Sequence, residues 1–252
     1  MKNILTLLLV AVFGTTVFAH DLWVKAVNKD KVYADIIYGH SFPNPEVIAK
    51  ERLSLFEPIS IVSKDGTTVL SQEGENYSYV GKEKLKKGAY IVRAYYKPTS
   101  WMQTSDGKWE MNKTRKDTQK EVTSCGTYSM QAKSILLVDN GDDDFITKPL
   151  GKGLEITPLV KASEIQEGKA VKFKVTMDGK QLKFQDVYGT LVGYSTDDMS
   201  KAYYGKTNLA GEIVFKPLKK GSWYLHVKYK RDSGNKDCEI AQEVSTLSFH
   251  VK

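Results

Sequence analysis

Along almost the whole chain, apolar and polar residues alternate with a period of two in short runs, and the runs stop at Gly, Asp, Asn or Pro. Such a pattern sends successive side chains to opposite faces of an extended backbone, so it dictates strands with one buried face and leaves little room for helices. The aromatic content agrees, because 14 Tyr, 9 Phe and 4 Trp suit half-buried pleated surfaces. In the first half the runs predict strands over 22–27, 31–38, 60–63, 88–96 and 128–137, with a short helix over 45–53. In the second half they predict strands over 154–158, 170–177, 184–194, 211–215, 221–229 and 243–251, the two facing sheets of a β-sandwich. Alternation there places Trp223, Leu225, Val227 and Tyr229 on one face and Tyr224, His226 and Lys228 on the other, with His226 toward solvent. The same rule turns Leu247, Phe249 and Val251 inward and His250 outward. The acidic turn at 139–144 and the Gly- and Pro-containing stretch at 148–153 mark a boundary, giving two β domains at 20–147 and 154–252. The expected fold class is mainly β, with two β-sandwich domains.

The beginning of the chain follows a different rule. Met1-Lys2-Asn3 is a short positive region, residues 4–13 are apolar, and Val17-Phe18-Ala19 is a small-x-small cleavage box. Residues 1–19 therefore read as a secretory signal peptide, since the apolar run falls short of the roughly 20 residues that span a bilayer. No Cys follows the box, so a lipid anchor at that place is excluded. A periplasmic or secreted protein, not itself membrane-spanning, is expected. Cleavage after Ala19 makes His20 the first residue and frees an α-amine beside its imidazole. With reference pKa values of about 7.7–8.0 and about 6.5, both groups yield their protons to a divalent metal near neutral pH and can close a chelate. By itself a His after a cleavage box is also an ordinary accident.

Catalytic signatures are missing: there is no Gly-x-Ser-x-Gly elbow, no phosphate-cradling Gly-rich loop, no His-Glu-x-x-His and no Cys-x-x-Cys. An enzyme is not expected. The formal charge of +7 arises from 37 basic and 30 acidic residues spread along the chain, without the basic stripe of a nucleic-acid binder. Asp142 with Asp144, and Asp197-Asp198, lack the spaced oxygen ligands of a calcium loop and read as solvated turns. What remains is His20 with His40. If residues 22–27 and 31–38 form a hairpin about Asn28-Lys29-Asp30, His20 falls opposite Tyr38, two residues from His40. The α-amine and both rings then lie at one end of the hairpin, a donor set suited to Ni²⁺, Co²⁺ or Cu²⁺. Asp21 and Glu46 are the oxygen ligands within reach, though Asp21 serves equally to cap a turn. Alone, His40 would be satisfied by the backbone of a Pro-rich loop. Ligand type does not fix the metal, and Zn²⁺ fits as well.

Cys125 and Cys238 are the two cysteines, and in an oxidising compartment they are most simply a disulfide joining the two halves; metal ligation is the other use open to them. Trp101-Met102 and Trp109-Glu110-Met111 flank Ser105-Asp106-Gly107 as a hairpin tip, either packed on a core or free as a lid.

Taken together, His20-Asp21-Leu22-Trp23 after the signal peptide, Tyr38-Gly39-His40, Tyr96-Lys97-Pro98, Trp101 and Ser105-Asp106-Gly107 resemble the secreted family described as the periplasmic component of nickel and cobalt uptake ABC systems. The later stretches 153–158, 168–180, 208–212 and 221–225 resemble that family's second, immunoglobulin-like half. The resemblance implies a binding protein that takes Ni²⁺ or Co²⁺ as cargo, through His20 and His40, and passes it to an inner-membrane energy-coupling transporter. The other reading of a secreted β-sandwich is an adhesion, carbohydrate-binding or accessory interaction module. A copper enzyme using the amine-terminal His is a third.

Overall fold

The computed structural model describes residues 20–40, 42–141, 144–195 and 200–252. Residues 1–19, expected to be a signal peptide, and the acidic positions 142, 197 and 198 lie outside the described residues. The chain is mainly β. Strands run in order as β1 (Asp21–Asn28), β2 (Val32–Gly39), β3 (Phe56–Ser63), β4 (Gly66–Val69), β5 (Ser71–Gln72), β6 (Ser78–Val80), β7 (Gly88–Thr104), β8 (Trp109–Met111) and β9 (Val122–Val138). They continue as β10 (Leu154–Pro158), β11 (Val171–Met177), β12 (Lys180–Gln181), β13 (Asp186–Leu191), β14 (Tyr203–Lys206), β15 (Glu212–Phe215), β16 (Gly221–Asp232) and β17 (Ile240–Val251). The expected helix at 45–53 is instead a 3₁₀ turn at Lys50–Leu55, preceded by irregular backbone. Both backbone groups of Ile48 are taken by the Asn76 side chain, the N–H donating to Oδ1 at 3.1 Å and the carbonyl accepting from Nδ2, which holds this stretch out of a helix.

Three sheets form from these strands, and the largest runs through both halves of the chain in the order β14-β13-β16-β17-β9-β7-β3-β4, with β8 paired to β7. Its centre is a parallel pairing of β17 with β9, from Ile240 opposite Gly126 to Ser248 opposite Ser134. A first small sheet, β1-β2-β6-β5, covers one face of the large sheet, and a second, β10-β11-β12 with β15, covers the other. The alternation within β16 shows this directly. Trp223, Leu225 and Val227 enter the core formed with Phe173 and Phe215 of the second small sheet. Tyr224, between them, packs against Trp23 and Ile37 of the first. Two sandwiches are thus built on opposite faces of a shared sheet.

Each sandwich has its own apolar core. Leu22, Val24, Ile36, Ile59, Val92 and Tyr96 belong to the first, and Ile156, Phe173, Val187, Trp223, Leu247 and Phe249 to the second. Residues 148–153 do not swing freely between them, because Glu155 accepts hydrogen bonds from the backbone N–H groups of Leu150 (2.9 Å), Gly151 (2.6 Å) and Lys152 (3.2 Å). The same carboxylate meets the ammonium of Lys133 on β9 at 2.8 Å, with side chains 0% and 2% exposed. Cys125 at the start of β9 is bonded to Cys238, two residues ahead of β17, so the disulfide closes the mouth of the parallel pairing. Arg115 braces it, donating to both carboxylate oxygens of Glu239 at 3.2 and 2.8 Å. His250 is exposed, and Leu247, Phe249 and Val251 are buried, as the alternation predicts.

Candidate metal centre

The hairpin that carries both candidate histidines turns one residue later than the sequence suggests. Asn28 remains in the ladder opposite Val32, and Asp21 pairs with Gly39. The reason is local. The Asn28 side chain is held at both ends by the backbone of Leu85, accepting from its N–H at 2.8 Å and donating to its carbonyl at 3.1 Å. The reversal is therefore pushed onto Lys29-Asp30-Lys31, closed by a Lys29 N–H to Lys31 carbonyl bond of 2.9 Å. Moving the centre of the hairpin by one residue shifts every partner by two and preserves the faces. The consequence is that the register, carried one step past Asp21–Gly39, sets His20 opposite His40 rather than opposite Tyr38.

The two imidazoles lie 4.6 Å apart between centroids, their planes inclined at 45°. An ion about 2.1 Å from a ring nitrogen is roughly 3.2 Å from that ring's centroid, so two rings in adjacent positions at right angles about it stand about 4.5 Å apart. The observed spacing allows the two rings to be a cis pair of ligands, and it is equally the spacing of packed rings. His20 is further stacked on Tyr38 at 4.8 Å and 13°, and Tyr38 on Tyr96 at 5.9 Å and 10°, so its orientation is set by a column of rings. Burial lowers the pKa of His20, and the neighbouring His40 and Arg52 lower it further, against the smaller opposing pulls of Glu46 and Asp21. The ring is therefore held in its neutral, metal-binding form at neutral pH.

The expected oxygen ligands are placed differently. Asp21 follows His20 in a strand, so alternation turns it to the other face, where its carboxylate meets Nε2 of His226 at 3.2 Å. Asp21 is thus removed from the ring pair; burial, the largest single effect, would raise its pKa, but His226 with Lys228 and Lys201 together lower it. His226, expected in solvent, is 14% exposed and ties β16 to the hairpin. The Glu46 carboxylate lies over the bare Cα of Gly39, where an added Cβ would stand 2.6 Å from Oε1 and would displace the end of that flexible side chain. It is near enough to act on the charge of His20 without joining the rings. Among the described residues no cluster of three or more His, Cys, Asp or Glu side chains is placed to hold an ion, so the two rings are what the side chains offer. Cys125 and Cys238 are consumed by their disulfide and supply no thiolate.

Beside the pair opens a cleft of about 390 Å³ that sequence reasoning did not locate. His20 forms part of its wall, and Tyr38, Tyr96, Trp101, Trp109 and Tyr128 supply five more rings. Arg52, Lys228 and Gln242 complete its polar rim, and among the described residues no carboxylate lines it. The tip carrying Trp101 and Trp109 is a hairpin, with Trp101 opposite Met111 and Gln103 opposite Trp109. Trp101 is fixed by donating its indole N–H to the Tyr96 hydroxyl at 3.0 Å and by the Arg52 guanidinium 5.5 Å from its ring centroid. Burial pushes the Tyr38 pKa up to about 12, so its hydroxyl stays protonated and the cleft acquires no negative charge from it. The signal that could have found this cleft was the pair Trp101 and Trp109 flanking the Ser105-Asp106-Gly107 turn, but its other wall comes from distant β2 and β17.

No curated protein matches the chain. Among solved structures, the D0-D1 domain of Intimin is similar at 16% identity and a TM-score of 0.23, with 90% of this chain and 96% of that one covered. Among the described residues no helix is long and apolar enough to cross a membrane. A family profile described as a domain of unknown function, DUF4198, matches residues 17–231, from just before His20 to near the end of β16. The chain spans that profile through both histidines, the aromatic tip and the shared sheet, and it belongs to the DUF4198 family.

Proposed function

We propose that the processed protein is a periplasmic carrier of a divalent transition metal, nickel or cobalt, which it delivers to an inner-membrane energy-coupling uptake transporter without catalysis of its own. The ion would be held by the rings of His20 and His40 and by the α-amine that cleavage after Ala19 creates. The observation that carries this reading is the 4.6 Å separation of the two rings at the free end of the hairpin. A neutral His20 and imidazole and amine donors suit Ni²⁺ and Co²⁺, and also Cu²⁺ or Zn²⁺. A pair of side-chain ligands with open positions elsewhere on the ion suits release to a second protein better than permanent storage.

A second reading, an adhesion or accessory interaction module, draws on the exposed Tyr188 and Tyr204, 40% and 57% accessible, on the strands at one margin of the large sheet. Calorimetric titration separates the two. Protein beginning at His20 is expected to bind Ni²⁺ one-to-one, and a version with one extra residue before His20 is expected to lose most of that affinity. Binding indifferent to the extension would remove the amino-terminal site and leave the interaction module.

A further inference from the structure

The ring pair leaves most of an ion's coordination positions unfilled by protein side chains, and the side on which His20 borders open space is the aromatic cleft. What the cleft would accept can be read from its chemistry. Its walls are flat rings on several sides, its charged groups are the cations Arg52 and Lys228, and among the described residues no acidic side chain lines it. A bare hydrated cation gains nothing from such a lining, since two positive charges repel it. An anion gains from both charges, and a flat ring gains from stacking. Arg52 sits between the two kinds of contact, its guanidinium against Trp101 and its charge felt at His20. A carboxylate bound to a metal at the histidines and facing the cleft would meet it there.

We infer that the cleft bounded by Tyr38, Trp101, Trp109 and Arg52 is a subsite for a small ring-containing carboxylate chelator, so that the cargo is a metal–chelator complex whose metal is held by His20 and His40 and whose organic part lies among the aromatic rings. The inference rests on the metal-carrier reading and adds the chemical class of the co-ligand. It also explains why five aromatic side chains converge on a surface opening while the opposite side of the hairpin is closed by Trp23, Phe42 and Tyr224. Nothing in the packing of the first core requires Trp109, which is 36% exposed at a hairpin tip.

The test uses pyridine-2-carboxylate as the probe, in titrations of protein beginning at His20 with Ni²⁺ alone and with the one-to-one nickel–pyridine-2-carboxylate complex. The complex is expected to bind roughly tenfold more tightly than the bare ion. Trp109→Ala and Arg52→Gln should each remove a large part of that gain and leave the affinity for bare Ni²⁺ unchanged or, for Arg52→Gln, slightly raised. Trp109→Ala lies at an exposed tip and so remains informative if Arg52→Gln folds poorly. Bare nickel binding with no gain from the chelator overturns the inference and leaves the carrier reading standing, as does a gain that both variants retain. Failure of both bare ion and complex to bind overturns the carrier reading, and the inference with it.

Discussion

At the residue scale the chemistry turns on which side of a strand each donor leaves. His20 and Asp21 are neighbours in sequence and opponents in space: the imidazole joins His40, and the carboxylate joins His226. The alternation that made the strand legible already contained this outcome, and treating Asp21 as a fellow ligand set aside the period-two rule used everywhere else. Gly39-His40 was readable in kind, although the Glu46 carboxylate that lies on the Gly39 Cα comes from a loop that doubles back. His40→Ala is expected to weaken Ni²⁺ binding by at least about tenfold, while His250→Ala, at an exposed position, leaves it unchanged in the same titration. Equal losses would contradict the assignment. Burial sets a second expectation. Tyr38 and Tyr203 both have pKa values pushed up to about 12 from the ordinary 10.0. A raised folded-state value means that the stabilisation from keeping these phenols protonated is complete below pH 10 and is lost as pH rises toward 12. Following tyrosinate absorbance against pH should show late ionisations coinciding with unfolding. Titration of all 14 tyrosines near the ordinary value with the fold intact would contradict the packing described.

Elements were the most legible level, because patterning and turn residues act within a few residues of one another. Strands 88–96 and 128–137 were found and proved to be the first part of β7 and the last part of β9, each a 17-residue strand. Their outer parts escaped notice since Thr, Ser and Gln there alternate weakly and are buried by partners far along the chain. The hairpin of β1 and β2 was recognised with its centre one residue early, because the Asn28–Leu85 bonds that fix the turn span 57 positions. The aromatic cleft draws its lining from β2, β7, β8, β9, β16, β17 and the 3₁₀ turn at once and was invisible for that reason. The disulfide, legible from compartment and number, makes a prediction at this level. It closes a separation of 113 residues between strands that pair in parallel, a loop for which chain entropy gives about 4–5 kcal/mol. Replacing Cys125 and Cys238 together by Ser should lower unfolding stability in denaturant by several kcal/mol. Unchanged stability would mean that β9 and β17 hold their register without it.

For the whole molecule, a boundary at 148–153 describes two cores but not the sheet that they share. Parallel pairing of β9 with β17 joins residues more than a hundred positions apart, and no local pattern announces which strands will meet. The buried Lys133–Glu155 pair sits where the second small sheet meets the large one, and its two ends are unequally supported. Glu155 keeps three backbone donors if Lys133 is removed, whereas Lys133 is left with a single 3.5 Å contact to Thr157 if Glu155 is removed. Glu155→Ala is therefore expected to cost about 3–5 kcal/mol in equilibrium unfolding, and Lys133→Met distinctly less. The reverse order would show that the stretch at 148–153 is held by something other than Glu155.

The central claim is that two of the four histidines act together on one ion, and their small number makes it directly observable. The measurement is a Zn²⁺ titration of protein beginning at His20, followed by NMR of the imidazole resonances, zinc being diamagnetic. The rings of His20 and His40 are expected to shift together and saturate at one equivalent, while His226, held by Asp21, and His250, in solvent, keep their positions. Four rings shifting alike, or His40 unmoved when His20 responds, would contradict it.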